Sequence, residues 1–169
     1  DRASDFIDAT AGRGNDTAYL CGLAGESGKI IAFDIQQEAI DSTAKLLEEK
    51  GFSSRAELIL GSHTQMDSYA EEGTVSCITF NFGWLPGGDH TVHTMKDTSI
   101  EAVKKALRLL KQGGLISMIL YYGRDTGFEE KEALLEFVKT IDSAEYSVIT
   151  VDFSNRPNCP PIPIFILRE

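Results

Sequence analysis

Two short segments of this chain carry residue types that can do chemistry together. The first is Asp8-Ala9-Thr10-Ala11-Gly12-Arg13-Gly14-Asn15-Asp16-Thr17, with two glycines and two carboxylates in ten residues. Glycines in such a turn let the backbone approach a ligand closely. A helix starting after it offers N–H groups to a carboxylate or phosphate. Asp34 stands 26 residues beyond Asp8, and a carboxylate there can accept both hydroxyls of a ribose. Together these features imply a cofactor containing a nucleoside. A dinucleotide fingerprint requires a third glycine where Thr17 stands. Asn15 and Asp16 open the next helix instead, and a carboxylate suits an ammonium group better than a pyrophosphate. The turn therefore points to S-adenosylmethionine rather than NAD. Taken alone, Asp16 also fits an ordinary helix N-cap.

The second segment is Asn81-Phe82-Gly83-Trp84-Leu85-Pro86-Gly87-Gly88-Asp89, which holds the only tryptophan of the chain. An Asn amide oxygen can accept a hydrogen bond from an amine, and an aromatic face can stack on a flat base. Methyl transfer from a sulfonium is an in-line displacement that requires no metal. Its main demand is a neutral nucleophile held at about 3 Å in line with the leaving sulfur. Asn81 and Trp84 suit the positioning of an amine carried on a base; a tight Gly-Pro turn lidded by Trp84 is the plainer reading. Between the two segments lies Gly61-Ser62-His63, where a side chain can reach an adenine or its ribose, or simply face solvent.

The elements that must position these residues follow from the hydropathy pattern. Residues 5–9, 29–34, 56–60, 75–82 and 115–121 read as strands, and 15–23, 36–50, 98–110 and 128–141 as helices, with a short helix at 64–70. Gly51 should cap the second helix, and Gly113-Gly114 should end the one that closes at Leu110. Strand and helix alternate through residue 141, the pattern of a doubly wound α/β domain with a mostly parallel sheet and helices on both faces. Two last strands, 146–153 and 162–167, are joined by the eight residues from Ser154 to Pro161. That connection is too short for a parallel crossover, so an antiparallel C-terminal hairpin completes a seven-stranded sheet. In an open sheet of this kind, ligands bind beyond the carboxyl ends of the strands near the switch point, where both segments fall.

Composition narrows the classes further. The chain has 169 residues, 42% of them apolar and 25% charged, the profile of one globular domain over residues 1–169. No run reaches the roughly 18 apolar residues of a membrane span, and no signal-peptide pattern opens the chain. Cys21, Cys77 and Cys159 are odd in number and widely spaced. They read as reduced thiols of a cytoplasmic protein, with neither a disulfide framework nor a metal site. The net charge is −10, divided as −9 over residues 1–89, +4 over 90–124 and −5 over 125–169. The acidic total by itself argues against a nucleic-acid partner, because phosphate binding needs local positive charge. The basic segment, with Lys96, Lys104, Lys105, Arg108, Lys111, Arg124, His90 and His93, can either face RNA or serve the C-terminal end of its own helix.

These residues together resemble the YtqB-type class I methyltransferases, the rRNA-methylase-like family. The carriers are the Asp8–Thr17 turn, Phe33-Asp34-Ile35-Gln36, Ser62-His63, Asn81–Asp89, Tyr121-Tyr122-Gly123 and Asn155-Arg156-Pro157-Asn158-Cys159-Pro160-Pro161. The resemblance spans nearly the whole chain and implies a Rossmann-like fold. It also implies methyl transfer from S-adenosylmethionine to the aminomethyl nitrogen of a modified wobble uridine in tRNA. Carried over, Asn15 and Asp16 meet the methionine part of the cofactor, Asp34 and Gln36 the ribose, and Ser62 and His63 the ribose or adenine side. Thr10, Gly12 and Gly14 line the turn, and Asn81 borders both cofactor and acceptor. Asn81, Trp84 and Tyr121 face the acceptor as the catalytic set, and Asn155 and Asn158 close the pocket. The family usually has Leu and Tyr where this chain has Phe82 and Trp84, which keeps an aromatic ring but removes a hydroxyl. It also has residues before the first strand, so a preceding segment is expected here, since the chain opens at Asp1. A homodimer is compatible with the sequence. Competing classes are an rRNA methyltransferase, a small-molecule methyltransferase, which the acidic charge favours, and a non-catalytic cofactor- or RNA-binding module. An NAD-dependent oxidoreductase is disfavoured, because this chain lacks both the third glycine and a Tyr-x-x-x-Lys or similar hydride-relay pair.

Overall fold

The computed structural model describes residues 5–83, 96–123 and 127–169. Trp84 and the rest of its loop, His90, His93 and Arg124 lie outside the described residues. The strands are β1 (Asp5–Asp8), β2 (Ile30–Asp34), β3 (Ala56–Leu60), β4 (Val75–Phe82), β5 (Leu110–Leu120), β6 (Tyr146–Thr150) and β7 (Ile162–Arg168). The helices are α1 (Asn15–Ala24), α2 (Gln37–Glu49), α3 (Lys96–Leu109) and α4 (Phe128–Val138), with a 3₁₀ helix at His63–Ser68.

One seven-stranded sheet runs in the order β3-β2-β1-β4-β5-β7-β6. The first five strands pair parallel, and β7 pairs antiparallel with both β5 and β6. The strand order reverses at β1, so the ends of β1 and β4 form the switch point that the site requires. The chain makes this sheet because β2 offers four consecutive apolar residues, Ile30 to Phe33, all buried, as a strand covered on both faces must. On one face, α1 and α2 bury Ala18, Leu20, Cys21 and Leu47 against Ile30. On the other, α3 and α4 close the larger core around Phe80, Phe82, Ile116, Met118 and Ile164. Alternation along β4 and β5 then points Asn81 away from that core, because Phe80 and Phe82 point into it.

Gly51 has φ +71 and donates to the Glu48 carbonyl at 3.0 Å, the expected glycine stop of α2. Gly113 and Gly114 do not end a helix in a loop. α3 runs directly into β5, and the glycines lie where the β4–β5 register breaks. Val75 faces Leu110 but Cys77 faces Leu115, so the extra residues loop out where Gly113, at φ +73, permits it. The expected helix at 64–70 is the 3₁₀ helix, started by Ser62, whose hydroxyl accepts the Thr64 N–H at 3.2 Å. Among the described residues no helix is long and apolar enough to cross a membrane.

Candidate cofactor and acceptor site

The first turn is held in shape from three sides. Gly12 and Gly14 have φ of +55 and +80, a region that side chains disfavour. The Gly14 N–H donates to the Ala11 carbonyl and the Ala18 N–H to the Gly14 carbonyl, both at 2.8 Å, so helix α1 begins at Gly14 itself. A Cβ on Gly14 would sit 2.8 Å from the Thr43 Cα of α2; the glycine therefore lets the turn lie against that helix. Asp34 reaches across from the end of β2. Its Oδ2 accepts the Gly12 N–H at 2.9 Å and its Oδ1 the Gln36 N–H at 3.0 Å. Each oxygen keeps capacity for a further donor, and the carboxylate is only half-buried. A sugar diol approaching this edge would meet an acceptor already fixed in direction.

Asn81 ends up beside the other wall of the turn. Its backbone N–H donates to the Thr10 hydroxyl oxygen at 2.7 Å, and its side-chain Nδ2 donates to Asp16 Oδ2 at 2.7 Å. A carboxylate only accepts, so the amide must present its nitrogen to Asp16 and turn Oδ1 the other way. Asp16 is therefore no N-cap: it sits inside the first turn of α1, and Gly14 occupies the cap position. Tyr121 completes this corner. Its N–H donates to the Phe82 carbonyl at 2.9 Å. Burial pushes its phenol above the usual range, and the Asp16 charge adds to the effect. Gly83 makes the contact possible, because at φ +139 a Cβ there would lie 2.9 Å from Tyr121 Cβ.

The structure thus brings Thr10, Gly12, Gly14, Asp16, Asp34, Gln36, Asn81 and Tyr121 around the carboxyl ends of β1, β2 and β4. Asn15 is exposed at the start of α1. Ser62 spends its hydroxyl on the Thr64 N–H and lies 2.9 Å from the Thr64 hydroxyl. His63 is 8% exposed, with its ring edge-on to Phe80 and Phe82 at 6.0 and 6.1 Å. It packs with core aromatics instead of standing on the rim, and burial holds its imidazole below the ordinary range. Asn155 and Asn158 are exposed on the β6–β7 connection. Asn158 and Cys159 are consecutive non-glycine residues at positive φ, +67 and +52, an uncommon pairing that bends the loop toward Gly123, where a Cβ would meet Cys159 Cβ at 3.4 Å. Two residues given no role from the sequence, Asp8 and Thr17, are wholly buried beneath the turn. Their signal was a polar pair where a buried strand meets a helix.

Three cations of the basic segment pair with carboxylates of the fold. Lys105 lies 2.5 Å from the Thr64 carbonyl, 3.1 Å from Asp67 and 3.4 Å from Glu101. Arg108 pairs with Glu72 at 3.4 Å and Asp67 at 3.8 Å, and Lys96 with Glu129 at 3.6 Å. Cys21, Cys77 and Cys159 are free thiols, and burial pushes Cys77 up to about 11.

Comparison with known proteins gives a consistent picture. The family described as "Putative rRNA methylase" matches residues 30–167. A chloroplast protein of Arabidopsis thaliana, named tRNA (mnm(5)s(2)U34)-methyltransferase, is 36% identical over 99% of this chain, which spans 65% of its length. A crystal structure of an rRNA-methylase-type protein from Clostridium thermocellum superposes with a TM-score of 0.96 at 46% identity, covering 99% of this chain and 89% of that one. A methyltransferase-type protein of Streptococcus mutans, solved in complex with SAH, has a TM-score of 0.90 at 37% identity, covering 100% of this chain and 90% of that one. The chain spans less than two thirds of the chloroplast relative and smaller shares of the small-subunit rRNA methyltransferases it also matches.

Proposed function

We propose, because the chain belongs to the family described as "Putative rRNA methylase", that it is an S-adenosylmethionine-dependent methyltransferase. Its acceptor on this reading is the aminomethyl nitrogen of a modified wobble uridine in tRNA. The observation that carries the reading is the junction of Asn81 with Asp16, where β4 delivers a carboxamide against an acidic helix start at the switch point. The name of the chloroplast relative supports the tRNA acceptor, and the SAH complex of the Streptococcus mutans relative supports the cofactor.

The residues fit the cofactor by an observation of this chain alone. The turn is side-chain-free at Gly12 and Gly14, and it is flanked by one carboxylate at Asp34 and another at Asp16. Asp34 and Gln36 would hold the ribose, Thr10, Gly12, Gly14 and Asn15 would line the methionine part, and Asp16 would face the ammonium; the Ser62-His63 corner would border the adenine side, with the His63 ring turned inward to Phe80 and Phe82. When bound, the cofactor supplies an electrophilic methyl on a sulfonium. The chain's task is then to present a neutral amine in line. Asn81 does this with Oδ1, since Asp16 claims its nitrogen. Tyr121 offers a half-exposed ring beside it for a base, and Trp84 is proposed as its aromatic partner. No carboxylate or imidazole in this corner is required as a base, because the amine can shed its proton to water.

Labelled methyl transfer from S-adenosylmethionine to tRNA tests the reading, using tRNA with and without prior aminomethylation of the wobble uridine. Label confined to the aminomethylated tRNA is expected. Label in unmodified tRNA or rRNA alone would move the acceptor, and cofactor binding without transfer to any RNA would leave a small-molecule enzyme or a binding module. An Asn81→Ala variant that kept full turnover would remove Asn81 from the catalytic set.

A further inference from the structure

Asp8 ends β1 with no exposed surface, and methyl transfer as described gives it no task. Its Oδ1 accepts the Thr10 N–H at 3.2 Å and its Oδ2 accepts the Thr17 hydroxyl at 2.6 Å. The Thr10 hydroxyl oxygen accepts the Asn81 N–H, and Asn81 Nδ2 donates to Asp16, each at 2.7 Å. Asp16 and Thr17 are neighbours in α1. The contacts therefore close a ring from β1 through the turn to β4, across to α1 and back to β1. The sense of each bond is fixed by chemistry. Both carboxylates only accept, both backbone N–H groups only donate, and the Thr10 hydroxyl oxygen is the acceptor that the Asn81 backbone requires. The Ala9 N–H donates to the Thr79 carbonyl at 2.9 Å, which locks the same two strands one step below.

We propose that Thr10 and Asp8 are positioning residues for the acceptor side of the site, with Asp8 holding Thr10 and Thr10 holding the backbone from which Asn81 projects. This inference rests on the methyl-transfer reading above and changes one part of it. Thr10 stands in the cofactor turn, yet its side chain serves Asn81. A loss at Thr10 should consequently appear in turnover and not in cofactor affinity. Displacing the Asn81 backbone by a fraction of an ångström misaims Oδ1, and misplacement by about 1 Å can cost on the order of 100-fold in rate.

Four variants separate the possibilities. Thr10→Val keeps the side-chain shape without the hydroxyl, and Thr10→Ser keeps the hydroxyl. Asp8→Ala removes the anchor. Asp8→Asn can still accept from the Thr10 N–H and donate to the Thr17 hydroxyl oxygen. Thr10→Val and Asp8→Ala should lower kcat at saturating tRNA and cofactor by about 10- to 100-fold. The Kd for S-adenosylmethionine, read by calorimetry, should stay within about threefold, and Thr10→Ser and Asp8→Asn should recover most of kcat. A second readout needs no turnover. In the amide NMR spectrum the Asn81 N–H should shift upfield and exchange faster in Thr10→Val, and return in Thr10→Ser. Cofactor affinity falling with kcat at saturation unchanged would place Thr10 on the cofactor side and overturn the inference. An Asn81 amide unmoved by Thr10→Val would overturn it as well. Failure of the wild-type protein to methylate any RNA would fell the functional reading alone, since the Asn81 amide still decides whether the ring holds the backbone.

Discussion

Replacing Asp8 by Asn should make the protein more stable, and increasingly so as the pH rises. Asp8 is fully buried, and desolvation is the main force raising its carboxyl from the ordinary 3.8 to about 6. The hydrogen bonds from Thr17 and Thr10 oppose that rise, and the nearby Asp16 charge adds to it. The folded chain therefore takes up this proton more readily than the unfolded chain. Stability fully present below pH 3.8 is lost as pH climbs through about 6. The full loss is about 3 kcal/mol at roughly 1.4 kcal/mol per pH unit, and about half of it accrues between pH 5 and pH 8. Asn resembles the protonated acid in shape and does not titrate. The gap between variant and wild type should therefore widen with pH, and the full loss corresponds to about 6–12 °C in melting temperature for a domain of this size. Urea unfolding of both proteins at pH 5, 6, 7 and 8 reads the difference directly. His63, whose burial makes the neutral ring the favoured form, contributes stability that is lost as pH falls below the ordinary imidazole range. It is present in both proteins and cancels. Parallel stability curves across that range would refute the account of Asp8 as a carboxylate ionised at the expense of the fold.

Gly14→Ala should cost about 2–4 kcal/mol, because the new Cβ meets the Thr43 backbone at 2.8 Å and φ is +80; urea unfolding measures it, and a cost under about 0.5 kcal/mol would show that the turn can lift off α2. Asp34→Ala removes the acceptor for two backbone N–H groups, so the Kd for S-adenosylmethionine should rise at least tenfold by calorimetry, with the cooperative unfolding transition preserved. Arg108→Gln loses only partly exposed pairs with Asp67 and Glu72. It should cost less than about 1 kcal/mol and leave the KM for tRNA within about twofold. A severalfold rise in that KM would mean this side chain meets RNA after all.

Much of the fold was legible because each buried strand announces itself in short apolar runs. Ile30 to Phe33 could hardly be anything but a strand covered on both faces, and the eight residues from Ser154 to Pro161 forbid a parallel return. The failures were local. Gly113-Gly114 looked like a helix stop, yet α3 needs none, since the chain enters β5 at once and spends the glycines on a register break. The segment at 64–70 had helical spacing, but a run of six residues started by Ser62 settles as 3₁₀. The +4 charge of residues 90–124 left a choice between an RNA-facing patch and service to its own helix. Asp67, Glu72 and Glu101 meet Lys105 and Arg108, pairings that composition by segment cannot reveal.

The candidate site divides along the same line. Residues near one another in the chain, such as Gly12, Gly14 and Asp16, could be read as a unit because one turn must hold them. Asp34 could be added because a strand end has only one edge to face. His63, expected on the ribose or adenine side or facing solvent, turns its ring to Phe80 and Phe82; the residue that follows a strand can point along the rim or back under the sheet, and its local sequence does not distinguish the two. Least legible was what Thr10 does. Its partner Asn81 is 71 residues on, and Asn81 reaches Asp16 across 65. Neither separation leaves a periodic trace. Only the strand order, with β1 and β4 adjacent at the switch point, makes a hydroxyl in the cofactor turn and an amide at the acceptor edge into neighbours. The two halves of the site are consequently not independent modules. A polar residue in the turn can bear on the acceptor side as well as on the cofactor, and the Thr10 hydroxyl, whose oxygen accepts the Asn81 N–H, is the bond through which it would do so.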